Sequence, residues 1–249
     1  MQLVQKIFQK FFNLSIHKNI NYCDDLYSIF LKKKKLTIFD IGTHKGETVK
    51  RFEKLFINKK ITYHCFEPLK KNIEDAKKEL SNVTNKVNLN NFGLGSKIER
   101  KLFYENIKSN TSSFNKLNLN SKWIKERSRQ YKVKINKFSK NKHFLEIQTL
   151  DNYCKKNKIQ SIDILKIDTQ GYEYDILKGS KSTLKKGIIK FIELELIFSD
   201  VYSQKAKLYE IEKIMNFNNY QIEAISKGGN KNDLSFEADL VYSKKNGSY

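Results

Sequence analysis

From Leu36 onward the chain alternates short apolar, β-prone runs with stretches whose apolar residues recur at helical spacing. Runs near 37–41, 61–66, 87–93, 162–167 and 188–196 are nearly continuous in apolar character, as strands buried on both faces are. Between them, a 3.6-residue period predicts amphipathic helices near 46–56, 69–80, 150–157, 173–185 and 204–217. Strand and helix in alternation predict an α/β fold, a mostly parallel sheet with helices on both faces. The end of the chain breaks the rhythm. Two β-prone runs, 220–225 and 236–242, are joined by the polar loop 226–233, too short for a helical crossover, so the pair is expected as an antiparallel hairpin. Residues 97–148 fit the alternation poorly. They are expected either as an insertion, partly helical around 118–131, that roofs the sheet edge, or as a mobile surface loop. Residues 1–35 are read as an N-terminal helical extension, leaving the main domain as 36–249.

Two of the strands share an ending. Phe39-Asp40-Ile41-Gly42-Thr43-His44-Lys45-Gly46 and Ile164-Leu165-Lys166-Ile167-Asp168-Thr169-Gln170-Gly171 each stop on an acid followed by a glycine. In an open α/β sheet, ligands bind at such carboxyl ends of strands. After the first strand, glycines let the backbone turn sharply and approach a ligand. The next strand ends on Glu67, 27 positions after Asp40, close to the spacing at which an acid reaches ribose hydroxyls in dinucleotide folds. The spacing G-x-x-x-G is not the G-x-G-x-x-G of a pyrophosphate cradle. An acid two residues before the first glycine suits a cationic ligand such as S-adenosylmethionine. A lone turn of this kind is also a common structural βα connection, and Glu67 in register tips the reading toward a cofactor. In the second turn, Asp168 can take a proton, orient a hydroxyl or bind a metal ion. Glu173 opens the following helix, where a carboxylate is favoured by the dipole whether or not it meets a substrate. Lys166 is expected to cover the strand or to hold an anionic acceptor.

The formal charge of +21 points to an acidic partner such as nucleic acid or anionic lipid, or to nothing more than a lysine-rich coding bias. An RNA enzyme is the competing reading, motivated by the basic stretch 122–142 with Trp123, Tyr131 and Phe138 interleaved. The three cysteines have no disulfide or zinc spacing, so a reducing, cytoplasmic setting is expected. No metal centre is signalled, although Asp168 and Glu195 could share a divalent cation. Residues 1–14 place apolar side chains at helical spacing between Lys6 and Lys10. Such a helix packs on its own domain or a second subunit, or lies on an anionic membrane surface.

The chain resembles the FkbM-type family of S-adenosylmethionine-dependent methyltransferases. The resemblance rests on the Asp40 to Gly46 loop, Cys65-Phe66-Glu67-Pro68, Asn91-Phe92-Gly93-Leu94-Gly95, the serines Ser112-Ser113, Thr149-Leu150-Asp151, the stretch from Leu165 to Glu173, Leu177-Lys178-Gly179 and Ile192-Glu193-Leu194-Glu195. Two positions depart from it: Gly93 stands where alanine is usual and Tyr172 where a small residue is common. The resemblance implies a Rossmann-like class I methyltransferase sheet and transfer of a methyl group, usually to oxygen on a sugar, natural product or related metabolite. It implies cofactor contacts from Asp40, Gly42, Thr43, His44, Gly46, Glu67, Asn91, Phe92 and Gly93. Asp168 and Glu195 become the first and second choices for base or orienting group. Gln170, Glu173, Ser112 and Ser113 are expected on the acceptor side. The Asp168-Thr169-Gln170-Gly171 turn lacks the Pro-Pro pair of base-methylating enzymes, which weakens the nucleic-acid reading. A binding module that keeps the fold without catalysis is the third alternative.

Overall fold

The computed structural model describes residues 22–205, 207–228 and 237–245. Ten strands form, β1 (Lys35–Ile41), β2 (Lys60–Phe66), β3 (Lys86–Asn90), β4 (Gly93–Leu94), β5 (Glu99–Asn106), β6 (Ser139–Gln148), β7 (Ile162–Ile167), β8 (Ile189–Ile197), β9 (Tyr220–Gly228) and β10 (Glu237–Lys244). The helices are α1 (Tyr22–Phe30), α2 (Glu47–Leu55), α3 (Lys70–Glu79), α4 (Lys122–Gln130), α5 (Leu150–Lys156), α6 (Glu173–Lys178), α7 (Lys181–Lys186) and α8 (Leu208–Phe217). Seven strands make the main sheet in the order β3-β2-β1-β7-β8-β10-β9. All run parallel except β10, which is antiparallel to both its neighbours. The expected parallel sheet with a terminal hairpin is therefore present. The amphipathic stretch before residue 15 and the hairpin loop 229–236 lie outside the described residues.

Side-chain alternation divides the core between the two faces of this sheet. On one face Phe39, Phe66, Leu165 and Ile192 pack with Tyr153, Ile176 and Met215 from α5, α6 and α8. On the other, Ile38, Tyr63, Ile164 and Phe191 pack with Tyr27 of α1 and with Val49 and Phe52 of α2. α1 is thus part of the domain core, with the Tyr27 ring edge-on to Phe191 at 5.5 Å.

Residues 97–148 are ordered structure. β5 and β6 pair antiparallel, β6 also pairs with β4, and together they form a second, three-stranded sheet. α4 covers part of the predicted helical region, with Ser121 accepting from the Ile124 amide as its N-cap. Trp123, Ile124 and Phe138 pack onto Ile197, Val201 and Tyr202 at the end of β8, which pins the insertion to the main sheet. Trp123 and Phe138 are 7% and 0% exposed, so neither presents a ring on which an RNA base could stack.

Two predicted elements are interrupted, each for a local reason. The strand expected over 87–93 breaks at Asn91, whose Nδ2 donates to the Glu67 and Pro68 carbonyls at 3.1 and 2.9 Å. Gly93 and Leu94 then join the second sheet. The helix expected over 173–185 breaks at Gly179, where a Cβ would stand 1.9 Å from the Gly95 carbonyl oxygen. Asp151 caps the new start at α7, accepting from the Ser182 and Thr183 amides at 2.8 and 2.7 Å.

Lys166 has a role not expected from the sequence: it neither covers the strand nor faces an acceptor. It is buried in an ion network, 2.8 Å from Asp239 and 3.3 Å from Glu193. Arg51 reaches Glu193 at 2.7 Å and Asp24 at 2.6 Å, and the Tyr27 hydroxyl donates to Glu193 at 2.7 Å. Burial alone would raise the Glu193 carboxyl, but Lys166 and Arg51 hold it down at about 2. Glu193→Ala takes the shared carboxylate from Lys166, Arg51 and the Tyr27 hydroxyl, and removing one partner from such a network costs about 3–5 kcal/mol. We expect denaturant unfolding to show a loss of that size; a loss below about 1 kcal/mol would mean the network tolerates the gap.

Candidate active site

β1 and β7 are adjacent in the sheet, so the two acid–glycine turns that follow them form one site. The Asp168 amide donates to the Ile41 carbonyl at 2.9 Å. Gly42, at φ +91°, lies so close to the second turn that a Cβ there would stand 1.9 Å from the Asp168 carbonyl oxygen. Both the left-handed backbone and the close approach demand glycine. The Gly42 and Thr43 amides donate to the Phe66 carbonyl at 2.9 and 3.2 Å, tying the loop to β2. Glu67, at the end of β2, accepts from the His44 amide at 3.1 Å and from the Leu69 amide at 2.9 Å.

A cavity opens above these turns. Of the expected cofactor residues, Gly42, His44, Glu67 and Gly93 line it, together with Ser112, Asp168 and Gln170 from the acceptor set. Asp40, Thr43, Gly46, Asn91 and Phe92 are not among its lining residues. His44 Nε2 lies 2.8 Å from Ser109 Oγ, so a turn of the insertion bridges the cofactor loop.

The electrostatics of the first turn are unusual. Asp40 is 1% exposed and neither of its carboxylate oxygens has a hydrogen-bond partner. The Thr43 hydroxyl nearby donates instead to the Asp40 backbone carbonyl at 2.9 Å. Burial pushes the Asp40 carboxyl up to about 7, with Thr43 and the Lys166 cation opposing only in part. Burial likewise pushes Glu67 up to about 7 against the pull of the Leu69 amide and Asn72. A buried carboxylate without a partner is costly unless a ligand completes it. Asp40 and Glu67 beside a glycine turn fit the ammonium, sulfonium and ribose hydroxyls of S-adenosylmethionine.

That arrangement sets a pH dependence. The ligand-free fold holds protons on Asp40 and Glu67 up to about 7, whereas a cationic ligand favours their ionised forms. Binding therefore releases protons below that point, and S-adenosylmethionine affinity should rise between about pH 5.5 and 7.5, by up to about tenfold per unit for each proton released. Calorimetry in two buffers of different ionisation enthalpy reads the protons directly. A flat profile would remove these acids from the cofactor site.

The second turn is held from within. Glu173 Oε1 accepts from the Thr169 and Gly171 amides at 2.9 and 3.1 Å and from the Thr169 hydroxyl at 3.1 Å. Burial pushes this carboxyl up to about 7. Glu173, expected to face an acceptor, shapes its own loop instead. Ser113 is similarly committed, donating to the Thr169 carbonyl at 3.2 Å and accepting from the Asn115 amide at 3.0 Å. Gln170, at φ +59°, sends Nε2 to Asp168 Oδ1 at 3.2 Å and to Glu195 Oε2 at 2.7 Å. Its amide thus bridges the two expected catalytic acids. Burial and the neighbouring Asp168 charge push Glu195 well above the usual carboxylate range. Among the described residues no three metal-ligating side chains come together.

Several residues of the site carried no sequence signal. The Tyr202 hydroxyl lies 2.7 Å from the Thr111 carbonyl and 3.1 Å from Gln170 Oε1. Asn115 Nδ2 donates to the Gly171 carbonyl at 2.6 Å. Phe114 explains both departures from the family pattern. Its ring stands 5.3 Å from that of Tyr172, and a Cβ at Gly93 would come within 2.6 Å of it. The larger Tyr172 and the smaller Gly93 are two sides of one packing arrangement.

The sheet order, the hairpin-closed edge and the cavity over β1 and β7 are those of a class I methyltransferase. Residues 40–222 match the family described as the Methyltransferase FkbM domain, and the chain belongs to that family, whose methyl donor is S-adenosylmethionine. A 67-residue stretch is 34% identical to the 2-O-methyltransferase NoeI of Sinorhizobium fredii (strain NBRC 101917 / NGR234), covering 27% of this chain and 27% of that protein. The crystal structure of Methyltransferase FkbM from Methylobacillus flagellatus KT shares the fold at a TM-score of 0.52 and 12% identity, over 83% of this chain and 44% of that one. The METTL16 methyltransferase domain superposes at a TM-score of 0.51 with 11% identity, over 98% of this chain and 78% of that one. The chain thus spans less than half the length of the first two relatives. No helix among the described residues is long and apolar enough to cross a membrane.

Proposed function

We propose that this protein transfers the methyl group of S-adenosylmethionine to a hydroxyl oxygen of a sugar or a related hydroxylated metabolite. The observation that carries the reading is the juxtaposition of an unpartnered buried acid, Asp40, with Asp168 on the adjoining strand. When bound, the cofactor supplies a methyl group activated by its sulfonium. Asp40, Glu67 and the loop around Gly42 would hold it. Asp168, fixed by its amide bond to β1 and by Glu173 beneath the turn, would orient the acceptor hydroxyl and take its proton. Glu195 accepts from the same Gln170 amide as Asp168 and would help to hold that acid in position. The partial likeness to a 2-O-methyltransferase supports oxygen as the acceptor atom.

The test is transfer of labelled methyl from S-adenosylmethionine to neutral glycosides, with RNA and carboxylate acceptors in parallel. Alkali-stable label on a glycoside, as a methyl ether, is expected. Label on RNA or in an alkali-labile ester, with none on the glycosides, would overturn the reading.

A further inference from the structure

A second cleft of about 190 Å³ opens beside the cofactor cavity, between α4 and the β8–β10 edge. Asn110 and Gln170 line both spaces, so the Gln170 side chain is a shared wall between them. The far wall is Trp123, with the Arg127 guanidinium 5.9 Å from the centre of its ring. Glu195 and Glu237 face the same space. The cleft is therefore acidic, although the whole chain is strongly basic. Asp168 stands just behind the shared wall, and Arg127 is the one cation among the lining residues.

We propose that this cleft is the acceptor subsite, and that Glu195 and Glu237 make it select a hydroxyl-rich acceptor carrying no negative charge at its reacting end. The proposal rests on the hydroxyl-methylating reading above. The Gln170 amide shows where a donor is wanted: Nε2 stands 3.2 Å from Asp168 and 2.7 Å from Glu195. An acceptor hydroxyl replacing that amide would offer its one proton to Asp168, with Glu195 beside it. Further hydroxyls would reach Glu237, and the buried Trp123 closes the far side of the cleft. A phosphate or carboxylate in this space would meet Glu195 and Glu237 at short range, and like charges at close quarters cost affinity steeply. Burial and the Asp168 charge raise the Glu237 carboxyl, so the exclusion of anions strengthens as the pH rises and these carboxyls ionise. Among the described residues no lysine lines it.

Trp123 is the only tryptophan in the chain, so its fluorescence reports on the cleft without any turnover. The experiment titrates protein loaded with S-adenosylhomocysteine with methyl glycosides of neutral hexoses and deoxyhexoses, and with glucuronate and glucose 6-phosphate. Neutral glycosides should change the Trp123 emission saturably, and the anionic sugars should not. Glu237→Gln should weaken the neutral ligand at least fivefold with homocysteine-cofactor affinity unchanged. Glu237→Lys should admit the anionic sugars, shifting the anionic-to-neutral preference by at least tenfold. Anionic sugars binding as tightly as neutral ones in the unmodified protein would overturn the proposal, as would a Glu237→Lys variant with unaltered preference. If the cofactor product binds calorimetrically and no glycoside moves the emission, the cleft proposal fails while the methyltransferase reading stands. If the cofactor product itself does not bind, it is the methyltransferase reading that fails.

Discussion

Asp168→Asn is expected to lower kcat for methyl transfer by about 10²–10⁴, the range typical for loss of a positioned proton acceptor, with cofactor affinity within a few-fold of the original. The substitution keeps size and hydrogen-bonding shape and removes the ability to take a proton. Asp168 is the appropriate target because it lines the cofactor cavity and also touches Gln170, the wall toward the second cleft. Its backbone is held independently of its carboxylate, by the amide bond to Ile41 and by Glu173 under the turn. Asp168→Asn is therefore expected to fold as the original does. Single-turnover transfer from labelled S-adenosylmethionine separates the chemical step from binding. Glu195→Gln should cost less, because Asp168 takes the proton and Glu195 shares only the hydrogen bonding around it. If Asp168→Asn retains full kcat and Glu195→Gln loses it, the two roles are exchanged.

Asp40→Asn should move two observables in opposite directions. Truncating the charge that meets a cationic ligand costs about 2–5 kcal/mol of binding, so S-adenosylmethionine affinity should fall by about 30-fold or more. The ligand-free protein should become more stable. Its buried carboxylate has no partner, and an amide in the same place has no charge to desolvate, which recovers about 1–3 kcal/mol. In a chain of this size that is worth about 2–4 °C of melting temperature per kcal/mol. The sign with pH follows from the raised carboxyl. In the folded state Asp40 holds its proton up to about 7 instead of 3.8, so it destabilises the fold increasingly from its ordinary value upward, levelling off above the raised one. The stability gained by Asp40→Asn should therefore grow across that window. A variant that loses both cofactor affinity and stability would make Asp40 a structural residue.

The main sheet was legible because its strands are buried on both faces and read as unbroken apolar runs. β5 and β6 were not, because Lys101, Lys140 and Lys142 alternate along strands with one face in solvent. Their apolar residues fall in adjacent pairs and triplets, Leu102-Phe103-Tyr104 and Phe144-Leu145, rather than in alternation, and Ile147 sits at the end that meets β4. The two interruptions also hid, since each depends on a contact across the fold: Asn91 with the chain around Glu67, and Gly179 with Gly95. In the site, the acid–glycine turns announced themselves, but side-chain direction did not. Glu173 and Ser113 occupy motif positions that suggest substrate, yet their oxygens are spent on the loop they belong to. Tyr202, Phe114 and Asn115 come from segments with no periodicity, and only the packing of the insertion against β8 brings them to the second turn. Lys166 could not be placed without knowing that β10 sits beside β8.

That position of β10 bears on how the molecule is made. β9 is synthesised first, yet it ends at the sheet edge, and the later β10 slots between it and β8. A nascent chain that has emerged only as far as β9 lacks Asp239, so Lys166 and Glu193 face each other without their third member. It also lacks Glu237 at the rim of the second cleft. The strands that deliver Asp40 and Glu67 are therefore synthesised well before the strand that carries Asp239 and Glu237. Because domains emerge from the N-terminal side during synthesis, the ion network around Lys166 and Glu193 closes only once β10 has followed β9.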